Sequence, residues 1–340
     1  MPSDYPADAE AMAAAVGAGH AMALRYGENP HQAGVFVGDL SLIVDRVAVN
    51  SAKPAPSYNN LLDLDAAIAL MADFLHHGDG PTAAVLKHGI PCGLASADTL
   101  AEAWARAIAV DPISPFGGVA IFNTLLDADT ARLVASLYLD VVAAPDYAPE
   151  AIALLKRKTL YRVKSWAQPA VTARAALGGF LVHERDASPF VASAVDSSDG
   201  DGRAGQRRWD VPTDKKPDDR QTTDLLYAER ACKHVKSNAV VFVKDRRLIA
   251  AGAAQPCRVG AVEVALLRAR TYPRPPIDLA GMVMASDAYF PFADATAKAI
   301  AGGTVAIVQP GGSRNDPDSI AACDDAGVAM VLTAVRHFRH

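Results

Sequence analysis

Residues 83–93 read AAVLKHGIPCG. A short apolar run, 83–87, ends in a lysine, and a histidine, two glycines and a proline follow at once. An apolar run of this length bounded by turn residues reads as a buried strand that opens into a polar turn. Outward from it the same grammar recurs. Strands are predicted at 119–122, 141–144, 239–244, 248–251, 282–286, 304–309 and 329–333. Ala- and Leu-rich stretches between them predict helices over 61–77, 95–109, 129–139, 223–235, 259–270, 295–301 and 317–326. Asn59 and Asn60 are the expected N-caps of the first helix. Strands alternating with helices predict an α/β protein with a largely parallel sheet.

One stretch breaks the pattern. Residues 186–222 are rich in Asp, Ser, Gly, Lys and Arg and hold few large apolar side chains, so they read as a linker or surface excursion. This divides the 340-residue chain into an N-terminal extension (1–20), a first part (21–185), the polar stretch and a second part (223–340). With 51% apolar residues, each part can bury a core. The two parts share a faint echo. Lys87-His88 precedes Asp111 by 24 residues, and Lys233-His234 precedes Asp287 by 54, each Asp being followed by Pro-Phe. The echo hints at duplication.

The formal charge of −5 argues against a general nucleic-acid binder. Four cysteines, none in a C-x-x-C, suggest neither a disulfide framework nor a zinc site. Residues 1–20 lack the basic start and apolar core of a signal peptide, and no apolar run approaches the roughly 18 residues that span a membrane. A soluble cytoplasmic protein is expected.

In α/β sheets ligands gather at the carboxyl ends of strands. Lys87 is a strand-end cation that suits a developing oxyanion, and His88 a neighbouring proton carrier. The pair equally reads as a surface lysine beside a hydrogen-bonded histidine. Arg25, within LRYGENPHQ at 24–32, suits a phosphate because its fork binds in bidentate fashion. The basic C-terminus, Arg336-His337-Phe338-Arg339-His340, follows a predicted strand and should be held in place. Gly117-Gly118 and Gly311-Gly312 allow close backbone approach. Neither a Walker loop nor a G-x-G-x-x-G occurs, so triphosphate and dinucleotide sites have no support.

Together with SYNNLLDLDAA at 57–67, DPISPFGGVAIFN at 111–123, KHVKSNAVV at 233–241, ASDAYFPF at 285–292, QPGGSRND at 309–316 and the terminal RHFRH, these segments resemble one family over residues 24–340. It is the AICAR transformylase domain of the bifunctional AICAR transformylase/IMP cyclohydrolase, here without the cyclohydrolase domain. The resemblance implies two cytidine-deaminase-like α/β/α halves, duplicated and without zinc. It implies transfer of a formyl group from 10-formyltetrahydrofolate to the 5-amino group of AICAR, with no metal in the chemistry. Lys87 and His88 match the catalytic pair. Arg25, Tyr26 and Arg336 match phosphate-holding positions, and Gly118 and Asp140 the lining of the nucleotide site. Asn238 and Arg258 match contacts to the imidazole and its carboxamide, and Tyr289 a ring packed on the base. Pro291, Phe292 and Asp294 match the pteridine site. Family members form homodimers, and ring closure would fall to a separate cyclohydrolase.

Some positions depart from the family pattern. Ala254 stands in a usual Gly-Ala-Gly-Gln, Ala293 replaces an arginine, Cys257 a small polar residue, Ile90 a polar residue and Tyr289 a phenylalanine. Clustered near the implied ligands, they open a second reading, a paralogue acting on a related amino-carboxamide nucleotide. A third is a non-catalytic protein that binds a purine intermediate. A deaminase on the same type of fold would need zinc ligands in H-x-E and P-C-x-x-C patterns, which this chain lacks.

Overall fold

The computed structural model describes residues 21–52, 54–75, 77–187 and 209–340. The expected extension 1–20 and the 188–208 portion of the polar stretch lie outside the described residues. The chain forms two compact units, one ending at Trp166 and the other beginning at Ala167.

In the first unit β1 (Ala21–Ala23) and β2 (Val35–Val37) make a small antiparallel ribbon. There follow β3 (Val44–Ala48), α1 (Tyr58–Ala72), β4 (Thr82–Lys87), β5 (Ile90–Ser96), α2 (Leu100–Ala109), β6 (Gly118–Phe122), α3 (Ala128–Ala135), β7 (Leu139–Ala144), α4 (Pro149–Leu154) and β8 (Thr159–Val163). The main sheet has the order β3-β8-β7-β6-β4-β5. Only β6–β7 and β7–β8 are parallel; β3–β8, β4–β5 and β4–β6 are antiparallel. The core is apolar side chains of the sheet and its helices, among them Val85, Trp104, Phe122, Val142 and Leu160.

The second unit opens with a two-stranded hairpin, β9 (Val171–Ala176) and β10 (Gly179–Glu184). Then come α5 (Asp219–Lys233), β11 (Val240–Val243), β12 (Leu248–Gly252), α6 (Arg258–Thr271), β13 (Met282–Ser286), α7 (Asp294–Ala301), β14 (Thr304–Gln309), α8 (Asp316–Ala326) and β15 (Ala329–Leu332). Its sheet order is β12-β11-β13-β14-β15. β11 is antiparallel to β12 and β13, and β13, β14 and β15 run parallel. Phe242, Met284, Phe290, Ile307 and Met330 lie in its core.

The two units therefore follow one path: helix, hairpin, helix, then three parallel strands separated by helices, with the second hairpin strand at the sheet edge. The first unit adds β3 beyond its last strand.

Three expectations need correction. The sheets are mixed, not largely parallel, because β4–β5 and β11–β12 are joined by two-residue turns, which can only connect antiparallel strands. Both turn residues have positive φ in each case: His88 at 55° and Gly89 at 70°, Asp245 and Arg246 at 54° each. That is the type I′ pattern of tight hairpins. The helix predicted from 95 begins instead at Leu100, capped by Thr99, because Ala95 and Ser96 pair with Ala83 and Thr82 in β5. The first helix is capped by Ser57 rather than by Asn59 or Asn60. The Ser57 hydroxyl accepts from the Asn60 N–H, and the Asn60 side chain accepts from the Ser57 N–H, a reciprocal capping box.

The far end of the polar stretch is also built in. Asp210 bridges to Leu332, the buried Thr213 hydroxyl accepts from the Met330 N–H, and Asp218 caps α5.

Candidate functional site

In the first unit the start of α1 gathers the candidate residues. The Arg25 N–H donates to the Pro56 carbonyl (2.9 Å) and the Tyr58 N–H to the Tyr26 carbonyl (3.3 Å), so the Arg25-Tyr26 segment is pinned to the helix entry. The Arg25 guanidinium donates to the Tyr26 hydroxyl at 3.3 Å and lies 5.0 Å from the centre of its ring. The Asn60 amide donates to Asp140 on β7 at 3.3 Å. One turn on, Asp63 reaches the β4–β5 hairpin. Its carboxylate accepts from the N–H groups of His88 (3.2 Å) and Gly89 (2.6 Å). Asp63 is buried, and burial pushes its carboxyl above the usual range although those two bonds and the charges of His88 and Lys87 pull the other way.

The hairpin presents Lys87, half-buried, and His88, exposed. A Cβ built on Gly117 would lie 3.0 Å from Lys87 Nζ, and Gly117 sits at φ +71°. The ammonium thus lies against backbone that only glycine leaves bare. The Gly117 N–H donates to the Tyr138 carbonyl at 2.8 Å, and the exposed rings of Phe116 and Tyr138 stack with centres 4.6 Å apart. Gly118 is constrained differently. Its Cβ would strike the Leu86 carbonyl oxygen at 2.5 Å and that of Pro115 at 3.0 Å. Gly118 lets β6 pack on β4, and Gly117 borders the amine. Arg25, Tyr26, Lys87, His88, Gly118 and Asp140 are therefore linked through α1, its hairpin and the start of β6 and β7.

In the second unit Asn238 and Arg258 are bonded directly, guanidinium to side-chain carbonyl at 2.9 Å. Arg258 also donates to the Ala239 carbonyl (3.0 Å) and forms a buried ion pair with Asp287. Asp287 in turn accepts from the Ala239 N–H (3.1 Å) and the Ser237 hydroxyl (2.5 Å). The C-terminal tail is held here. The His337 N–H donates to the Asp287 carbonyl and the Arg339 N–H to the Ser237 hydroxyl. Arg336 itself is exposed, its guanidinium 4.2 Å from the centre of the Phe338 ring. His337 is buried. Burial disfavours its charged form, but Asp186 and Glu229 outweigh that and raise its pKa above the usual imidazole value. Tyr289, Pro291, Phe292 and Asp294 follow β13, with Tyr289 42% and Phe292 65% exposed, unusual for aromatic rings. The Asn315 amide holds the Pro291 carbonyl at 2.5 Å, and Asp294 opens α7.

Sequence reasoning missed Asp63 and Ser237 as organising residues, and it named Asn60, Gly117 and Asp287 without the contacts they make here. Asp63 did leave a signal: an acid among the buried residues of α1 needs a partner. Among the described residues no group of three or more His, Cys, Asp or Glu is placed to hold a metal ion, and no helix is long and apolar enough to cross a membrane.

The architecture is that of a mixed α/β protein whose two units repeat one path, with a lysine–histidine pair at a hairpin of the first unit. A sequence model of the AICARFT/IMPCHase bienzyme family matches residues 4–268. The chain belongs to that family. It is 39% identical over 322 residues to the bifunctional purine biosynthesis protein PurH of Acaryochloris marina, covering 93% of this chain and 58% of the relative. It is 41% identical over 322 residues to PurH of Chloroflexus aurantiacus (93% and 59%) and 40% identical over 334 residues to that of Roseobacter denitrificans (94% and 60%). The chain thus spans about three-fifths of the length of these relatives.

Proposed function

We propose that this chain transfers a formyl group from 10-formyltetrahydrofolate to the 5-amino group of AICAR, in purine biosynthesis. The observation that carries the reading is the hairpin at 87–89, where a lysine whose amine is set against bare glycine backbone is followed in the chain by an exposed histidine. Family membership and the bifunctional relatives support it.

The acceptor amine is a poor nucleophile because its lone pair is delocalised into the ring. As its nitrogen bonds to the formyl carbon, the carbonyl oxygen gains negative charge. Lys87 stabilises that oxyanion; such contacts are typically worth about 10²–10³-fold. His88 takes the proton from the attacking nitrogen and returns one to the folate nitrogen as the carbon–nitrogen bond to folate breaks, with a contribution of about 10²–10⁴-fold. The products are the formamido nucleotide and tetrahydrofolate. Arg25, Tyr26 and Arg336 hold the phosphate. Gly118 and Asp140 line the nucleotide site, Asn238 and Arg258 meet the carboxamide-imidazole, and Tyr289 packs on the base. Pro291, Phe292 and Asp294 receive the pteridine. No metal takes part.

The common path of the two units supports a duplication of cytidine-deaminase-like halves. We further read the protein as a cytoplasmic homodimer, with ring closure performed by a cyclohydrolase. One observation favours the second reading, a related amino-carboxamide acceptor: Ala254, three residues from Cys257 and four from Arg258, holds φ +56° where glycine is at ease. Incubation with formyl-labelled 10-formyltetrahydrofolate and either AICAR or an analogue decides between them. Label in AICAR supports the purine reaction. Label only in the analogue shifts the acceptor, and label in neither leaves the binding role.

A further inference from the structure

The matching paths of the two units expose an internal comparison. Both hairpins carry a lysine just before a type I′ turn, Lys87 before His88-Gly89 and Lys244 before Asp245-Arg246. In both, an aspartate from the preceding helix accepts the two N–H groups of the turn. Asp63 takes His88 and Gly89 at 3.2 and 2.6 Å, and Asp224 takes Asp245 and Arg246 at 2.8 Å each. Both aspartates are buried. The device is thus common to both halves, but its consequences differ. Lys244 gives its ammonium to the carbonyls of Asp278 and Ala280 and to the Asp278 carboxylate, so the second hairpin is a structural pin. Lys87 instead meets the backbone of Gly117, and the next residue in the chain is the exposed His88.

We propose that Asp63 is a positioning residue for the lysine–histidine pair, holding the His88-Gly89 turn through two backbone N–H groups so that amine and imidazole stay in one register. His88 is the residue that needs holding. A side chain with a branched ring at φ 55° occupies a sparsely populated conformation, and a relaxed turn would swing the imidazole away from Lys87. Asp63 ties both turn amides to α1, the helix whose start also pins Arg25-Tyr26 and Asp140. The anion-binding entry and the proton-carrying turn are therefore referenced to one rigid element, as a reacting pair requires.

The inference rests on the formyl-transfer reading for its kinetic readout, and Asp224 supplies the control. Asp63→Asn and Asp224→Asn each remove one acceptor lobe from the same kind of turn. The expected result is a similar fall in melting temperature for both. Asp63→Asn alone lowers kcat, by roughly 10²-fold as misplaced catalytic groups do, with the KM for AICAR changed less than about threefold and a shifted pH–rate profile. Asp63→Glu, which keeps the charge, serves if the Asn variant folds poorly, and should recover part of kcat. The His88 ring resonance, assigned with His88→Gln, is read in parallel and should move in Asp63→Asn but not in Asp224→Asn. Unchanged kcat in a folded Asp63→Asn, or equal kcat losses in the two Asn variants, overturns the proposal. If wild type transfers no formyl group, the functional reading fails instead, and the ring resonance alone decides: a shift confined to Asp63→Asn sustains the positioning role, and an unmoved signal ends it.

Discussion

Replacing Gly117 with alanine separates the two glycines of the 117–118 pair. The new methyl would stand 3.0 Å from Lys87 Nζ, the far end of a flexible side chain, so the lysine yields rather than the backbone. The stability cost is mainly that of an alanine at φ +71°, about 1–2 kcal/mol. The functional cost is larger. An ammonium displaced by the order of an ångström loses its aim at the oxyanion, which lowers kcat by about 10²-fold. Gly118→Ala reverses the balance. Its methyl would meet the Leu86 carbonyl oxygen at 2.5 Å, and main chain in a central strand cannot step aside, so the loss falls on stability, about 1–3 kcal/mol or more. Denaturant titrations and formyl-transfer kinetics on both variants check this. The Gly117→Ala/Lys87→Ala double variant should be no slower than Lys87→Ala alone, because both changes remove one interaction. Wild-type kcat in Gly117→Ala, or additive losses in the double variant, would refute the placement of the amine.

Other consequences follow from single sites. Ala254→Gly relieves a left-handed alanine and should raise unfolding stability by about 1 kcal/mol in urea titration; a decrease would mean that the methyl packs usefully. Asp287→Ala strands Arg258 in a buried pair and should cost about 3–5 kcal/mol in the same assay. The folded His337 pKa is raised, so its stabilising contribution is complete below the unfolded imidazole value near 6.5 and is lost as pH rises through the higher folded value. Melting temperature should fall across that alkaline-side window in wild type, and His337→Gln should remove that component of the pH dependence.

Strand positions in both sheets were legible because buried strands are short and apolar. Met282–Ser286 and Thr304–Gln309 match their predicted bounds to the residue. What the sequence hid was pairing direction. β5 carries Pro91, Cys92 and Gly93, and its antiparallel register comes from two turn residues at positive φ, which His88 disguises. The β9–β10 hairpin is exposed along both strands, so it shows no alternation of apolar and polar residues.

The echo between halves was legible as a hint but aligned on the wrong residues. Lys233 ends a helix, whereas Lys87 ends a strand; the structural counterpart of Lys87 is Lys244. The shared feature is a contact, an aspartate bonded to two turn amides, and a contact between residues 25 or 21 positions apart leaves no motif. The same holds for Gly117. Two adjacent glycines look alike in sequence, and only the path of the Lys87 side chain tells them apart. The anomaly at Ala254 was legible only through the resemblance, in which glycine is usual at that place; its φ of 56° lies in the left-handed region that glycine favours.

The central claim is that Lys87 and His88 together carry formyl transfer. Its most direct test is the single-turnover rate of formamido-nucleotide formation, measured with wild type, Lys87→Ala and His88→Ala at saturating AICAR and 10-formyltetrahydrofolate. The account predicts a loss of about 10²-fold or more in each variant. A His88→Ala protein that turns over at the wild-type rate contradicts it.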